Sequence, residues 1–227
     1  MNLFAKSKLQ RTVALIVWAM IYFMAFTYVE NVPQRVQNLA TKWDYRIPFC
    51  KYFIVPYVLW FFYVAITLIY FGLHRYKEEE YRKLIYNFIL GIAVFFACCI
   101  VMPNGHRLRP LLFGKDIFEK LILFIYRRDT ATNIFPSLHV YFSVACLQAF
   151  WFRDSLEQKR IACHKAGKRC IDIPCICFTI LTVSIVLSTL FIKQHCLVDV
   201  IGALVLNMAG YRVFYKAKVP KAITIWN

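Results

Sequence analysis

The sequence predicts an all-α fold: a polytopic membrane bundle of about six transmembrane helices, in a single domain over residues 1–227. Three observations point there. The 227 residues are 60% hydrophobic and 18% aromatic, with a mean hydropathy of +0.54, too apolar for a soluble domain. The apolar residues fall into separate runs near the length that crosses a bilayer, about 20 residues as a helix. The alternating pattern of a membrane β-barrel is absent, and a lone spanning segment must satisfy its own backbone as a helix.

Six runs qualify in chain order: Thr12–Val29, Phe53–Leu73, Leu84–Met102, Leu138–Phe152, Pro174–Ile192 and Cys196–Phe214. The first follows Lys6, Lys8 and Arg11 like a signal peptide. It is long and has no Ala-x-Ala site after it, so it reads as a retained anchor. The first, second, third and fifth runs carry no Asp, Glu, Lys or Arg. The fourth is the shortest. No Gly/Ser or Pro-rich linker divides the chain, and no repeat recurs.

Charge sets the orientation. With a cytoplasmic N-terminus, 17 of the 28 Lys and Arg fall on the inner side, counting Arg212 with the tail, and 11 on the outer. The positive-inside rule selects this arrangement, with both termini cytoplasmic, in an integral protein of the plasma membrane. The net charge of +16 then reflects basic loops against anionic membrane lipids. Nucleic-acid binding is excluded as a reading, because the cations are scattered over both faces. Nine cysteines are mostly packing residues of the spans. Cys163, His164, Cys170 and Cys175 lie in or beside the basic inner loop, but their spacing fits no standard zinc pattern.

Two phrases carry the chemistry, and in this topology both open outward. In Asn133-Ile134-Phe135-Pro136-Ser137-Leu138-His139 the proline suits the first turn of a helix. That helix would present its free N–H groups to an anion, with Ser137 adding a hydroxyl. The bland alternative makes Ser137 a cap and His139 an interfacial histidine. In the second phrase His195 and Asp199 stand four residues apart, on one face if helical. Asp199 is then placed to hold one imidazole nitrogen and leave the other free to attack. A carboxylate inside a span is costly and marks a functional position. Arg109 and Lys193 flank the two phrases as cations for phosphate.

At these residues the chain resembles the type-2 phosphatidic acid phosphatase superfamily of integral membrane lipid phosphatases. Arg109-Pro110 matches the end of that family's first motif, Lys-x6-Arg-Pro. Pro136-Ser137-Leu138-His139 matches the second, Pro-Ser-x-His, completely. Ser188, His195 and Asp199 match the third, Ser-Arg-x5-His-x3-Asp, at its spacing. Two positions depart: Met102 stands for the first motif's lysine and Thr189 for the third motif's arginine. Lys193 is placed to replace the second of these, and His106 or Arg107 the first. The resemblance covers about residues 100–205.

It implies a metal-independent, cofactor-free hydrolase acting on a lipid phosphate or polyprenyl pyrophosphate at the extracytoplasmic face. His195 would attack phosphorus, oriented by Asp199. His139 would serve as acid and then base. Arg109, Ser137 and Lys193 would bind the phosphoryl oxygens. A phosphotransferase on the same three residues and a non-catalytic membrane protein are the alternatives.

Overall fold

The computed structural model describes residues 8–31, 36–73, 78–153 and 172–216, with positions 156, 158 and 161–163 between the last two stretches. Seven α-helices make up most of it. They are α1 (Lys8–Asn31), α2 (Ile54–Leu73), α3 (Glu78–Val101), α4 (Ile117–Arg128), α5 (Leu138–Trp151), α6 (Ile173–Phe191) and α7 (Leu197–Tyr211). A 3₁₀ turn, Lys51–Phe53, leads into α2, and a π turn, Arg212–Lys216, continues α7.

Among the described residues four helical stretches are long and apolar enough to cross a membrane: Lys51–Leu73, Glu79–Val101, Ile173–Phe191 and Leu197–Lys216. Two of the six expected spans are shorter as apolar helices, Ile16–Val29 and Leu138–Trp151. At 1.5 Å per residue, the 14 residues of α5 reach only about 21 Å, against a hydrocarbon core of about 30 Å.

Helix α5 can be short because it is the centre of the bundle. It packs against α2, α3, α6 and α7. Leu138, Val140, Tyr141, Phe142, Ser143 and Cys146 are all buried, and at 3.6 residues per turn they spread around the helix. A helix apolar all round belongs inside. In lipid the hydrophobic effect does not drive helices together, so close packing and polar contacts must. Gly91 of α3 admits the Tyr141 ring; a Cβ there would lie 2.3 Å from it. The Tyr141 hydroxyl donates to the Asn87 side chain, and Asn207 Nδ2 donates to the Tyr141 carbonyl at 2.8 Å. These bonds tie α3, α5 and α7 together.

The end of the bundle that bears the histidines is closed by elements the hydropathy reading left as loop. Helix α4 is capped by Asp116, whose side chain accepts from Glu119 N at 3.0 Å. Its Ile122 packs with Ile54, Tyr57 and Ile192 in a second apolar cluster. Two short strands, β1 (Gln37–Asn38) and β2 (Asn104–Gly105), pair in parallel. Gly105 also bridges to Thr132, where a Cβ would meet the Ala131 carbonyl at 2.4 Å. Ladder bonds thus hold the chain after α1, the chain after α3 and the chain before α5 together.

Candidate active site

His139 is presented by a loop clamped from outside the motif. Asn104 Oδ1 accepts from Ile134 N and Phe135 N, both at 2.9 Å. Asn133 turns the chain with φ of 52°, a sparsely populated conformation outside glycine. The Phe135 ring fits onto α7 where Gly202 leaves room; a Cβ there would lie 2.3 Å from it. Ser137 is the N-cap of α5, its hydroxyl oxygen accepting from Val140 N at 3.4 Å. Pro136 therefore precedes the cap and is not in the first turn, as its residue type had suggested. His139 is the second residue of the helix. Its ring stacks on Tyr57 at 4.6 Å between centroids and leans on Trp60 at 4.3 Å.

His195 reaches the same place by a different route from the one its spacing implies. Helix α6 stops at Phe191 and α7 starts at Leu197, so His195 lies in the turn between them. Gln194 N and His195 N both donate to the Thr189 carbonyl at 3.0 Å, and Lys193 sits at φ of 54°. Asp199 occupies the third helical position and reaches back, accepting from Cys196 N at 2.9 Å. That capping contact, and not a shared helix face, brings Asp199 Oδ2 to 3.4 Å from His195 Nδ1. Asp199 is fully buried, and its Oδ1 has no hydrogen-bond partner among the described residues. The His139 and His195 rings lie 5.6 Å apart between centroids.

Both histidines line one cavity of about 300 Å³. Of the cations expected there, Arg109 and Lys193 do not line it. The Arg109 guanidinium donates to the carbonyls of Tyr126 (3.1 Å) and Asp129 (2.6 Å) and to Gln194 Oε1, and it lies over the Tyr126 ring. The Lys193 ammonium donates to the carbonyls of Asp44 (2.8 Å) and Ile47 (2.6 Å). Burial holds its pKa below the ordinary lysine value, against a smaller opposing pull from Asp44. Thr189 is buried and its hydroxyl donates to Val186 O, so it does not face the histidines as a polar group.

The cavity includes residues that motif reasoning passed over: Tyr57, Trp60, Arg128 and Asp129. The Asp129 carboxylate accepts from the Tyr57 hydroxyl and from Gln194 Nε2, each at 2.8 Å. Gln194 thus joins Arg109, Asp129 and Tyr57 from inside the third motif's variable stretch. The only sequence signal for Asp129 is an acid following two arginines at the end of an amphipathic helix. Tyr57 carries no signal, because an apolar run does not say which aromatic meets a histidine. Among the described residues no group of three or more His, Cys, Asp or Glu side chains converges as a metal site; His164 and Cys170 lie outside them.

His106 supports the His195 turn. Leu108 N donates to its Nδ1 at 3.2 Å, which leaves the proton on Nε2 to donate to Gln194 O at 3.1 Å. Burial lowers its pKa from 6.5 to about 4. Between those values the unfolded chain binds the extra proton and the folded one does not. The stabilisation is complete above pH 6.5 and is lost as pH falls toward 4, on the order of 3 kcal/mol. His106→Gln flattens this part of the stability profile in detergent. Melting curves for the two proteins between pH 7.5 and 4.5 that stay parallel would disprove it.

Compared with known protein families, with curated proteins and with solved structures, the chain finds no match. The site's chemistry therefore rests on its geometry. A carboxylate 3.4 Å from His195 Nδ1, which makes no hydrogen bond among the described residues, is placed to fix tautomer and orientation, and a second imidazole across a small cavity can pass a proton to or from whatever the first attacks.

Proposed function

We propose that this protein is a metal-independent lipid phosphate phosphatase, or a polyprenyl pyrophosphate phosphatase, of the type-2 phosphatidic acid phosphatase kind. The observation that carries the reading is the histidine pair in one cavity with Asp199 beside His195. A second observation supports a lipid. An apolar groove of about 590 Å³ between α1, α2, α3 and α5 adjoins the cavity, and Tyr22, Phe23, Trp60 and Phe61 line both. A hydrocarbon chain in the groove and its phosphate at the histidines form one continuous ligand. In this reading α1 and α5 complete a six-span bundle, thinned locally around α5, with both termini cytoplasmic and the site at the outer face of the plasma membrane.

His195 attacks phosphorus through Nε2 while the bond from phosphorus to the lipid oxygen breaks. His139, having taken the acid proton of the incoming phosphate ester, gives it to that oxygen. Neutral His139 then takes a proton from water, the resulting hydroxide attacks the phosphohistidine, and the P–N bond breaks to release phosphate and His195. The buried Asp199 stabilises positive charge on the His195 ring as the bond forms.

The test is release of inorganic phosphate from a panel of lipid phosphates in detergent, with no acceptor added and with His195→Ala as control. Release that requires an added lipid or sugar acceptor would make the protein a transferase. No release under either condition rejects the reading. The groove makes a separate prediction. Ala93 lines it and not the cavity. Ala93→Trp that excludes two methylenes of substrate forfeits their packing contacts, about 0.1–0.2 kcal/mol per atom pair, and over several such contacts lowers kcat/KM several-fold. The loss is expected for long-chain substrates and not for a short, water-soluble phosphate ester. Equal effects on both would reject the groove as the chain's seat.

A further inference from the structure

We propose that Arg128 is the cation that receives the substrate's headgroup phosphate, an assignment that rests on the phosphatase reading above. A phosphoryl group entering the histidine cavity meets two carboxylates, the half-buried Asp129 and the fully buried Asp199, and needs positive charge to balance them. Among the described residues Arg128 is the one Lys or Arg lining that cavity. Arg109 and Lys193 are each held by backbone carbonyls, as described above, and would have to break those bonds to reach it.

Arg128 itself is uncommitted. It is exposed at the last residue of α4, with its guanidinium 5.0 Å from the centre of the Phe124 ring. Among the described residues it pairs with no carboxylate. The adjacent Asp129 carboxylate is taken by Tyr57 and Gln194. An aromatic face under a guanidinium leaves its edge of N–H donors free, and that fork fits two phosphate oxygens at once.

The surroundings specify a phosphate carried at the membrane surface. Helix α4 is not one of the spanning stretches, yet Ile117 is 70% and Phe124 53% exposed on it, and Leu111 and Phe113 just before it are 89% and 79% exposed. Apolar side chains this open, flanked by Lys115, Lys120 and Arg127, describe a helix lying in the bilayer interface. Its last turn then sits at headgroup depth with Phe124, Ile125 and Arg128 on the cavity.

The competing role is general: Arg127 and Arg128 both complement the dipole at the end of α4 and attract anionic lipid. Kinetics of Arg128→Ala, Arg128→Lys and Arg127→Ala separate the two. Loss of a charge-assisted bond to substrate lowers kcat/KM of Arg128→Ala by about tenfold or more. The inhibition constant of inorganic phosphate rises with it, Arg128→Lys recovers part of the loss, and Arg127→Ala behaves as wild type. Unchanged kinetics in Arg128→Ala, or an equal loss in Arg127→Ala, overturns the assignment. Calorimetry of inorganic phosphate binding to the solubilised protein keeps this apart from the reaction. Arg128-dependent binding in a protein that hydrolyses nothing rejects the phosphatase reading and keeps the site. Phosphate binding to the wild type that Arg128→Ala leaves intact rejects the site.

Discussion

On the proposed phosphatase reading, His195→Ala is expected to abolish phosphate release, and Asp199→Asn to lower it by about 10⁴ while the protein stays folded. That figure is the cost of losing the orienting carboxylate in the serine-protease triad. The folded state survives because an asparagine oxygen can still accept from Cys196 N, the capping bond Asp199 makes now. What the amide cannot do is stabilise an imidazolium at His195 Nδ1, 3.4 Å from the carboxylate. Asp199→Ala removes the cap as well, for about 1 kcal/mol more. His139→Ala also fails in turnover; a substrate whose leaving group needs no proton gives a burst only, because the same histidine activates the water of the second step. Steady-state rates beside melting curves for the four variants are the measurement. A folded His195→Ala protein with wild-type turnover would remove the nucleophile, and with it the mechanism.

Arg109→Ala is expected to lose stability first and activity as a consequence. The guanidinium ends α4 by taking the carbonyls of Tyr126 and Asp129, and it holds Gln194 Oε1. Its removal leaves three oxygens without this donor in a half-buried setting, at about 1–3 kcal/mol for each one left unsatisfied. The damage spreads through Gln194 to Asp129 and Tyr57, and so to the ring stacked on His139. Arg109→Lys recovers little, because one ammonium cannot replace the planar fork. Thermal melting in detergent decides: a large fall in midpoint supports this role. An unchanged midpoint with activity lost would return Arg109 to direct phosphate binding.

Much of the helical layout was legible because hydropathy is a local property. The stretches expected at Phe53–Leu73, Leu84–Met102, Pro174–Ile192 and Cys196–Phe214 correspond to α2, α3, α6 and α7 with its π turn, with ends shifted by a few residues. The largest shift is at α3, which starts at Glu78, because charged residues continue a helix past the point where apolarity ends. Helix α4 was missed for the converse reason. Only one face of it is buried, and a reading tuned to bilayer-length runs passes over 12 amphipathic residues.

The candidate site divides along the same line. The residue types and spacing of Pro136-Ser137-Leu138-His139 and of His195 to Asp199 stand in the chain itself, and they sufficed to name three residues that share one small region. The tasks of the cations were not legible. Lys193, four residues after Thr189, would share its face only if the helix continued that far, but α6 ends at Phe191, and a residue at positive φ sends its side chain elsewhere. Where a long, flexible cation finds its partners depends on which carbonyls the fold leaves unpaired nearby, at Asp44 and Ile47 for Lys193 and at Tyr126 and Asp129 for Arg109. Those carbonyls belong to segments between about 17 and 149 residues away. By itself the sequence determined a membrane-embedded helical chain and its histidine and aspartate phrases, because solvent preference and short spacing are written locally. Only the tertiary structure decided which positive charges are consumed in building the site and which one, Arg128, still faces the cavity, because that outcome depends on contacts between distant segments.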